Sequence, residues 1–418
     1  MTSRRGFVRW FMAVGTALGV APVALARVAG RPRREPVDYY AKLGVPTIIN
    51  AAGTYTYLTA SLMPDEVQAA VALAANHSVR LRDLQDAAGA YIARRLRCEA
   101  ALVSCGAASA LSLGTAACMT LGRPDAAKDV PSRVDALRNE VVIQRAHRLS
   151  HDHALEMCGA RLIEVETPAE YENALGPRTA MAFYFHAAEG GSIGHAEWLR
   201  RAHAHGVPCF IDAAADVPPI ANLWNFTAMG FDLVAFSGGK GIRGPQNAGL
   251  LLGRRDLIAA AAANNNPNDR SVGRGMKVAK EQIVGMVAAL DWILAQTDEG
   301  IEAEARARVN RIVAQIRDLP TVTTEVLVPA VANHVPHLMV RYDQARIGIT
   351  PADVAIALRQ GRPSIELNPA TGRASGAAGL HSDERTIVIG PWMMKPGDDV
   401  VVGRRLREVL EGAIRRDG

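Results

Sequence analysis

Short apolar runs alternate with amphipathic stretches over most of the chain up to about residue 300. The runs are hydrophobic at every position rather than at every second one, a pattern typical of strands buried on both faces of a parallel sheet. The stretches between them have the apolar spacing of helices that cover such a sheet. The predicted strands are residues 100–103, 141–144, 161–165, 180–185, 208–212, 233–236 and 250–252. The alternation predicts an α/β fold with a mainly parallel sheet.

The pattern changes in the C-terminal part of the chain. The strands predicted there are residues 323–328, 337–342 and 385–390, and the helices are residues 302–319, 351–358 and 396–415. Strands and helices in this mixture predict a smaller α+β domain. We therefore expect a large domain over residues 46–300 and a small C-terminal domain over residues 301–418.

The N-terminal residues have the pattern of an export signal. The adjacent arginines Arg4 and Arg5 precede an apolar run over residues 10–25, and small residues follow at the end of that run. This order predicts a twin-arginine signal peptide over residues 1–26, a linker over residues 27–45, and a periplasmic protein exported in the folded state. A plain secretory signal and an uncleaved membrane anchor are the alternatives. Since the run is shorter than the ~20 residues of a comfortable membrane span, we expect no stable span after cleavage.

Net charge gives little reason to expect a nucleic-acid partner. The formal charge is +5, but residues 1–26 hold three arginines and no acidic residue, so the rest of the chain carries only +2. The five cysteines are an odd number without a C-x-x-C pair, which indicates reduced thiols rather than a disulfide framework. The histidines His147, His151 and His153 have no carboxylate or thiolate at a convincing spacing, so no metal site is expected.

A lysine lies in a glycine-rich turn between two of the apolar runs. The turn Ser237-Gly-Gly-Lys-Gly241 follows the predicted strand 233–236 directly. Glycines let the backbone come close to a ligand, and a lysine amine in an apolar cleft loses solvation as a cation and becomes nucleophilic near neutral pH. A lysine that forms a Schiff base needs both properties. An ordinary hairpin whose lysine faces solvent is the alternative.

Two further features accompany this lysine. Asp212 ends the apolar run 208–212, and a glycine turn at residues 104–109 leads into a small-residue helix. Because functional residues of parallel sheets lie at the carboxyl ends of strands, Asp212 and Ser237 are expected at one edge. A helix that starts behind a glycine turn favours binding of a phosphate group. A tightly packed alanine-rich helix without a ligand would have the same sequence pattern and is the alternative. Lysine, carboxylate and phosphate site together predict an enzyme that uses pyridoxal phosphate.

Four segments carry a resemblance to a known family. They are Ile49–Tyr55, Ser61–Pro64, Phe236–Gln246 and Gly273–Lys277. On these segments the chain resembles the selenocysteine-synthase-like branch of fold-type-I pyridoxal phosphate enzymes, above all the D-glucosaminate-6-phosphate ammonia-lyase type. The resemblance implies an aspartate-aminotransferase-like large domain, the cofactor pyridoxal 5'-phosphate, and an active site at the interface of a homodimer or higher homo-oligomer.

The resemblance also implies roles for single residues. Lys240 would form the Schiff base and move the proton, Asp212 would pair with the pyridinium nitrogen, and His147 would stack over the ring. A histidine satisfied at a strand end is the alternative for His147. The other cofactor-binding positions that it implies are Gly106, Ala107, Ala108, Ser237, Arg243 and Gln246. Arg274 and Lys277 would reach an anionic group from the neighbouring subunit.

The implied activity is that of a lyase acting on a small amino-acid-like molecule. It would perform α,β-elimination on a β-hydroxy amino acid or an amino-sugar acid and release ammonia. A racemase, an aldolase or a β-replacement enzyme acting on an exported amino acid is one alternative, and a protein that binds the cofactor without turnover is another. The chain departs from the family at Leu149, His151 and Arg362, where relatives are expected to carry Asn, Tyr and an acidic residue. These departures leave the specific substrate open.

Overall fold

The computed structural model describes residues 37–188, 190–368 and 384–414. The predicted twin-arginine leader, residues 1–26, lies outside the described residues, as does most of the predicted linker. The chain divides into two compact units, residues 1–46 and 47–418. The described part of the first unit contains one short helix, α1 (Tyr39–Leu43), which begins where the Asp38 carboxylate accepts a hydrogen bond from the Ala41 N–H and ends at Gly44 with φ 68°.

The second unit is built on a seven-stranded sheet. Its strands follow the spatial order β2-β8-β7-β6-β5-β3-β4, and all neighbours are parallel except β8, which is antiparallel to both β2 and β7. The strands of the chain are β1 (Ile48–Ala51), β2 (Ala100–Ser104), β3 (Glu140–Gln144), β4 (Arg161–Val165), β5 (Thr179–Phe185), β6 (Cys209–Asp212), β7 (Leu233–Ser237), β8 (Gly249–Gly253), β9 (Thr323–Leu327), β10 (His337–Arg341), β11 (Ser364–Leu367) and β12 (Thr386–Ile389). The predicted α/β fold with a mainly parallel sheet is confirmed.

Helices cover both faces of this sheet. In the second unit they are α2 (Asp65–Ala75), α3 (Leu81–Leu96), α4 (Gly106–Thr120), α5 (His153–Glu156), α6 (Pro168–Ala174), α7 (His195–Ala204), α8 (Asn222–Met229), α9 (Arg255–Ala263), α10 (Lys280–Leu294), α11 (Asp298–Ile316), α12 (Gln344–Ile347), α13 (Pro351–Gln360) and α14 (Asp398–Ile414). None of the helices in the described ranges combines the length and hydropathy needed to cross a lipid bilayer.

The central strands are hydrophobic throughout because successive side chains enter two different cores. In β6, Phe210 belongs to the core on one face and Ile211 to the core on the other. Helix α4 packs so closely on the first of these faces that a Cβ on Gly114 would overlap the ring of Phe210. Small residues in α4 therefore let this helix approach the sheet, which fixes the position of its N-terminus.

The C-terminal part has the predicted α+β character. Strands β9, β10 and β12 form an antiparallel sheet in the order β12-β10-β9, and α11 and α14 contribute apolar side chains to the core beside it. Strand β1 pairs in parallel with β11 and adds Ile49 and Ala51 to this same core, although the sequence pattern places β1 in the large domain. The boundary between residues 300 and 301 stays a prediction.

Candidate active site

The carboxyl ends of β6 and β7 place two predicted site residues at one edge of the sheet. The strands are parallel neighbours in which Asp212 pairs with Ala235, so Asp212 and Ser237 end their strands side by side. The segments that follow stay in register, since Ala213 N–H donates to Ala235 O at 3.0 Å. The lysine turn and the segment after Asp212 therefore meet at this edge of the sheet.

Lys240 lies in the turn between β7 and β8, and glycines hold that turn tightly against its neighbours. A Cβ on Gly241 would overlap the carbonyl oxygen of Val217, and one on Gly239 would lie 2.7 Å from Gln246 Cα. Lys240 is half-buried. Desolvation lowers the pKa of its amine, while Asp212 and Asp216 act in the opposite direction. The lysine therefore does not stand on a solvent-exposed hairpin tip, the alternative that the sequence left open.

Asp212 is buried, with 3 % of its surface exposed. Its Oδ1 accepts a hydrogen bond from the Ala214 N–H at 2.9 Å. Burial raises the pKa of the carboxyl group, whereas that hydrogen bond and the electrostatic effects of Lys240 and His151 lower it. A buried carboxylate of this kind is stabilised by a cation placed against it, because charges in a low dielectric need a partner.

The N-terminus of α4 lies next to this edge. In register, Gly249 of β8 pairs with Ser104 of β2 on one side and with Ser237 of β7 on the other. Gly106 has φ 79°, and a Cβ placed on it would meet nothing within 4 Å. Among the described residues no side chain caps this helix, and Ser109 Oγ is buried without a hydrogen-bond partner. The N–H groups of the first turn have no side-chain partner, which suits an anion.

His147 lies in a packed environment after β3. It ends a short 3₁₀ turn after β3, its Nδ1 accepts a hydrogen bond from the Phe185 N–H at 3.4 Å, and its ring meets Tyr184 edge-on at 4.4 Å. Burial lowers its pKa to about 4. His151, by contrast, is exposed and acts electrostatically on Asp212. The stacking role of His147 stays a prediction.

Arg243 and Gln246 fasten a neighbouring segment to the lysine turn. Arg243, with φ 59°, donates from Nε to Leu62 O at 2.9 Å, and Gln246 donates from Nε2 to Thr56 O at 2.9 Å. Between these two contacts, Ser61 N–H donates to Gly239 O at 2.9 Å. The guanidinium of Arg243 also lies 5.4 Å from the ring centroid of Trp292 and faces a cavity of about 190 Å³. Both residues thus position the turn.

Arg274 and Lys277 lie on an exposed stretch before α10. Arg274 pairs with the exposed carboxylate of Asp269 at 3.1 Å. Their predicted reach toward an anionic group of a neighbouring subunit stays a prediction, as does the homo-oligomer itself.

Residues 153–369 match the family model of class-V aminotransferases. The chain belongs to the class-V aminotransferase family. Over 385 residues it is 29 % identical to a 5'-C-glycyluridine monooxygenase-decarboxylase from Streptomyces sp, covering 89 % of this chain and 92 % of that protein. It is 26 % identical over 388 residues to the D-glucosaminate-6-phosphate ammonia lyase of Salmonella typhimurium, covering 90 % and 99 %. The solved structure of a D-glucosaminate-6-phosphate ammonia-lyase aligns with a TM-score of 0.75 at 25 % identity, covering 91 % of this chain and all of that one.

These matches confirm the predicted resemblance to the ammonia-lyase type and the fold of fold-type-I pyridoxal phosphate enzymes. As a class-V aminotransferase, the protein is an enzyme that depends on pyridoxal phosphate. The geometry fits this cofactor. Asp212 would offer a buried carboxylate to a pyridinium nitrogen, Lys240 would offer a desolvated amine to the aldehyde, and the α4 N-terminus would offer N–H groups to the phosphate group.

In the described ranges, one cluster of side chains has the composition of a metal site, but it lies at the other edge of the sheet. His203, Cys209 and Asp232 place ligand atoms within 4.8 Å of one another at the amino ends of β6 and β7. The Asp232 carboxylate already accepts hydrogen bonds from the Cys209 N–H at 2.7 Å and from Arg254 at 3.0 Å. Because its charge is neutralised by the guanidinium, we assign the cluster a structural role.

Proposed function

We propose that the protein eliminates water from an amino acid that carries a hydroxyl group on its β-carbon, such as an amino-sugar acid, and releases ammonia. The placement of Lys240 beside the buried Asp212 at the carboxyl edge of the sheet is the observation that carries this proposal. Similarity to an ammonia lyase over nine tenths of the chain supports the same enzyme class, a pyridoxal-phosphate-dependent lyase.

The reaction balances without an oxidant. The Cα–H and Cβ–O bonds of the substrate break, water leaves, and addition of water to the resulting enamine gives a 2-oxo acid and ammonium. Pyridoxal phosphate, when bound, withdraws electrons from the α-carbon and makes its proton acidic. The chain must therefore supply a base for that proton, a counter-charge for the ring nitrogen, and an anchor for the phosphate group.

Three parts of the chain supply these functions. The Lys240 amine, whose pKa burial lowers, would accept the α-proton. Asp212, which its strand and the Ala214 N–H hold in place, would stabilise a proton on the ring nitrogen. The α4 N-terminus would hold the phosphate group, and the 56–62 segment is bonded to the lysine turn by Arg243 and Gln246.

The substrate class is supported by the compounds named in the two relatives. Glucosaminate and 5'-C-glycyluridine share one chemical unit, an α-amino acid whose neighbouring carbon carries a hydroxyl group. An elimination needs that hydroxyl as the leaving group. The Streptomyces relative also favours a second candidate, an oxygen-consuming decarboxylation of the same kind of amino acid.

The products distinguish the two candidates. With a β-hydroxy amino acid or an amino-sugar acid, elimination is expected to release ammonium and 2-oxo acid in equal amounts, with no oxygen consumed. The matched control is the same amino acid without the β-hydroxyl, which should yield neither product. Oxygen uptake with release of carbon dioxide would favour the decarboxylation, and racemised substrate without ammonium would contradict both.

We also propose that residues 1–26 direct export by the twin-arginine route and that the enzyme acts in the periplasm. The support is the order of Arg4-Arg5, the apolar run and the small residues at its end. A reporter fused to residues 1–34 is expected to be exported, and replacement of Arg4-Arg5 by Lys-Lys should retain it in the cytoplasm. Equal export of both fusions would exclude this route.

A further inference from the structure

A second buried carboxylate lies near the lysine turn. Asp216, four residues after Asp212, has 1 % of its surface exposed. Its Oδ1 accepts a hydrogen bond from the Ala332 N–H at 2.9 Å, whereas its Oδ2 is buried without a partner among the described residues. Burying a carboxylate oxygen without a hydrogen-bond partner destabilises the fold, so its presence here indicates a functional role for Asp216.

The backbone places Asp216 beside Lys240. A Cβ on Gly241 would overlap the carbonyl oxygen of Val217, so the residues that follow Lys240 and Asp216 are in direct contact. The two side chains act on each other electrostatically as well: Asp216 works to raise the pKa of Lys240. Burial and the charge of Asp212 raise the pKa of Asp216 to about 7, against the effect of Lys240. Asp216 can therefore gain or lose a proton near neutral pH.

Two histidines extend from Asp216 toward the surface. His186 Nε2 lies 3.8 Å from Asp216 Oδ1, and His186 Nδ1 lies 3.4 Å from His195 Nε2. Burial lowers the pKa of both imidazoles, that of His186 to about 4, so both rings are neutral at pH 7. His195 is only partly buried and opens the row to solvent.

A strained segment of the C-terminal part holds this arrangement in place. Ala332 and Asn333 adopt φ of 50° and 46°, values that residues with a Cβ rarely take. Asn333 N–H donates to Ala215 O at 2.8 Å, next to the Ala332 bond to Asp216. Backbone strain of this kind persists where the surroundings fix it and is common at functional sites.

We propose that Asp216 is a positioning residue that controls the protonation of Lys240, and that His186 and His195 connect it with solvent as a path for protons. To release a proton, the Asp216 carboxyl gives it to His186 Nε2, His186 Nδ1 gives its own to His195 Nε2, and His195 Nδ1 loses one to water. Each imidazole changes tautomer and stays neutral. The Lys240 ammonium gives its proton to the Asp216 carboxylate, which passes it on along this path. The reverse sequence returns a proton to the lysine, and both imidazoles are neutral before and after.

Among the described residues, few charged or titratable groups act on Lys240 and Asp216. Lys240 faces Asp212 and Asp216. Asp216 faces Lys240, Asp212 and His186, and His186 in turn faces His195 and His147. Since the histidines are neutral, Asp212 and Asp216 set the charge felt by the lysine.

The test rests on the proposed role of Lys240 as proton carrier but uses no substrate, so its failure and that of the proposed elimination are distinguishable. The absorbance of the protein loaded with pyridoxal phosphate is titrated with pH. Asp216→Asn is expected to lower the midpoint by about one pH unit or more, because a negative charge close to a cation raises its pKa by about that much. His186→Gln should leave the midpoint unchanged and slow the relaxation after a pH jump.

Matched variants keep the outcome clear. Asp232→Asn, which removes a buried carboxylate at the opposite edge of the sheet, should leave the midpoint at its wild-type value. Asp216→Ser is a second neutral variant if Asp216→Asn does not fold, and Asp216→Glu should restore the midpoint toward wild type. If folded Asp216→Asn or Asp216→Ser titrates like wild type, the proposal is wrong for Asp216. If His186→Gln relaxes at the wild-type rate, the proton path is wrong.

In cofactor-free protein, the NMR titration of isotope-labelled dimethyl-Lys240 should show the same downward shift.

Discussion

Lys240→Ala is expected to abolish turnover and to leave the protein without the yellow colour of covalently bound pyridoxal phosphate. The turn between β7 and β8 offers an amine whose pKa is lowered by desolvation at the sheet edge, and alanine offers neither nucleophile nor base. Loss of the base alone is expected to lower kcat by about 10²–10⁴-fold, and loss of covalent attachment adds to this. Absorbance after dialysis against the cofactor and the initial rate of ammonium release check the two parts separately.

The control for this experiment is Lys128→Ala, which removes an exposed lysine after β2 and α4 and should change neither colour nor rate. Added methylamine is expected to restore part of the activity of Lys240→Ala, since it supplies an amine to the vacated space. A Lys240→Ala protein that stays yellow and turns over at a normal rate would remove Lys240 from the mechanism.

Asp212→Asn is expected to reduce kcat by about 10²–10³-fold, the usual cost of removing one preorganised electrostatic contact from an active site. An amide is isosteric with the carboxylate and can still accept the Ala214 N–H bond, so the fold should survive. It carries no charge, however, and cannot hold a proton on the ring nitrogen. Steady-state kinetics together with the affinity for pyridoxal phosphate measure the effect.

Asp399→Asn is a suitable comparison, because Asp399 is also a buried carboxylate but pairs with Arg311 in the C-terminal part. It should lower the melting temperature while leaving kcat near its wild-type value. Equal kcat for Asp212→Asn and wild type would mean that Asp212 is not the partner of the ring nitrogen.

Much of the large sheet could be predicted because its strands are hydrophobic at every position. The same pattern put Asp212 and Ser237 at strand ends, and the parallel order of β6 and β7 brought them together. The helices α6, α8 and α9 were not predicted, since each is short and flanked by loops. A local signal existed for α6: Thr167 precedes Pro168, and its side chain accepts a hydrogen bond from the Glu170 N–H, as an N-cap does.

Other features depend on contacts between distant parts of the chain and cannot be read from local pattern. The pairing of β1 with β11 joins residues near 50 to residues near 365, and Asp216 gains its partner from Ala332. From the sequence, His151 was considered as a metal ligand and as a departure from the family, whereas in the structure it acts electrostatically on Asp212. The short distance along the chain between Asp212 and Asp216 could have indicated a second carboxylate near the site. The sequence alone does not show that Asp216 is buried.

The central claim is that Lys240 carries pyridoxal phosphate at the edge of the sheet where Asp212 lies. Reduction of the loaded protein with borohydride, followed by proteolysis and mass spectrometry of the peptides, tests it most directly. We expect a phosphopyridoxyl group on the peptide that contains Lys240, with Lys277 and the other lysines unmodified. Attachment at another lysine, or a protein that takes up no cofactor, would contradict it.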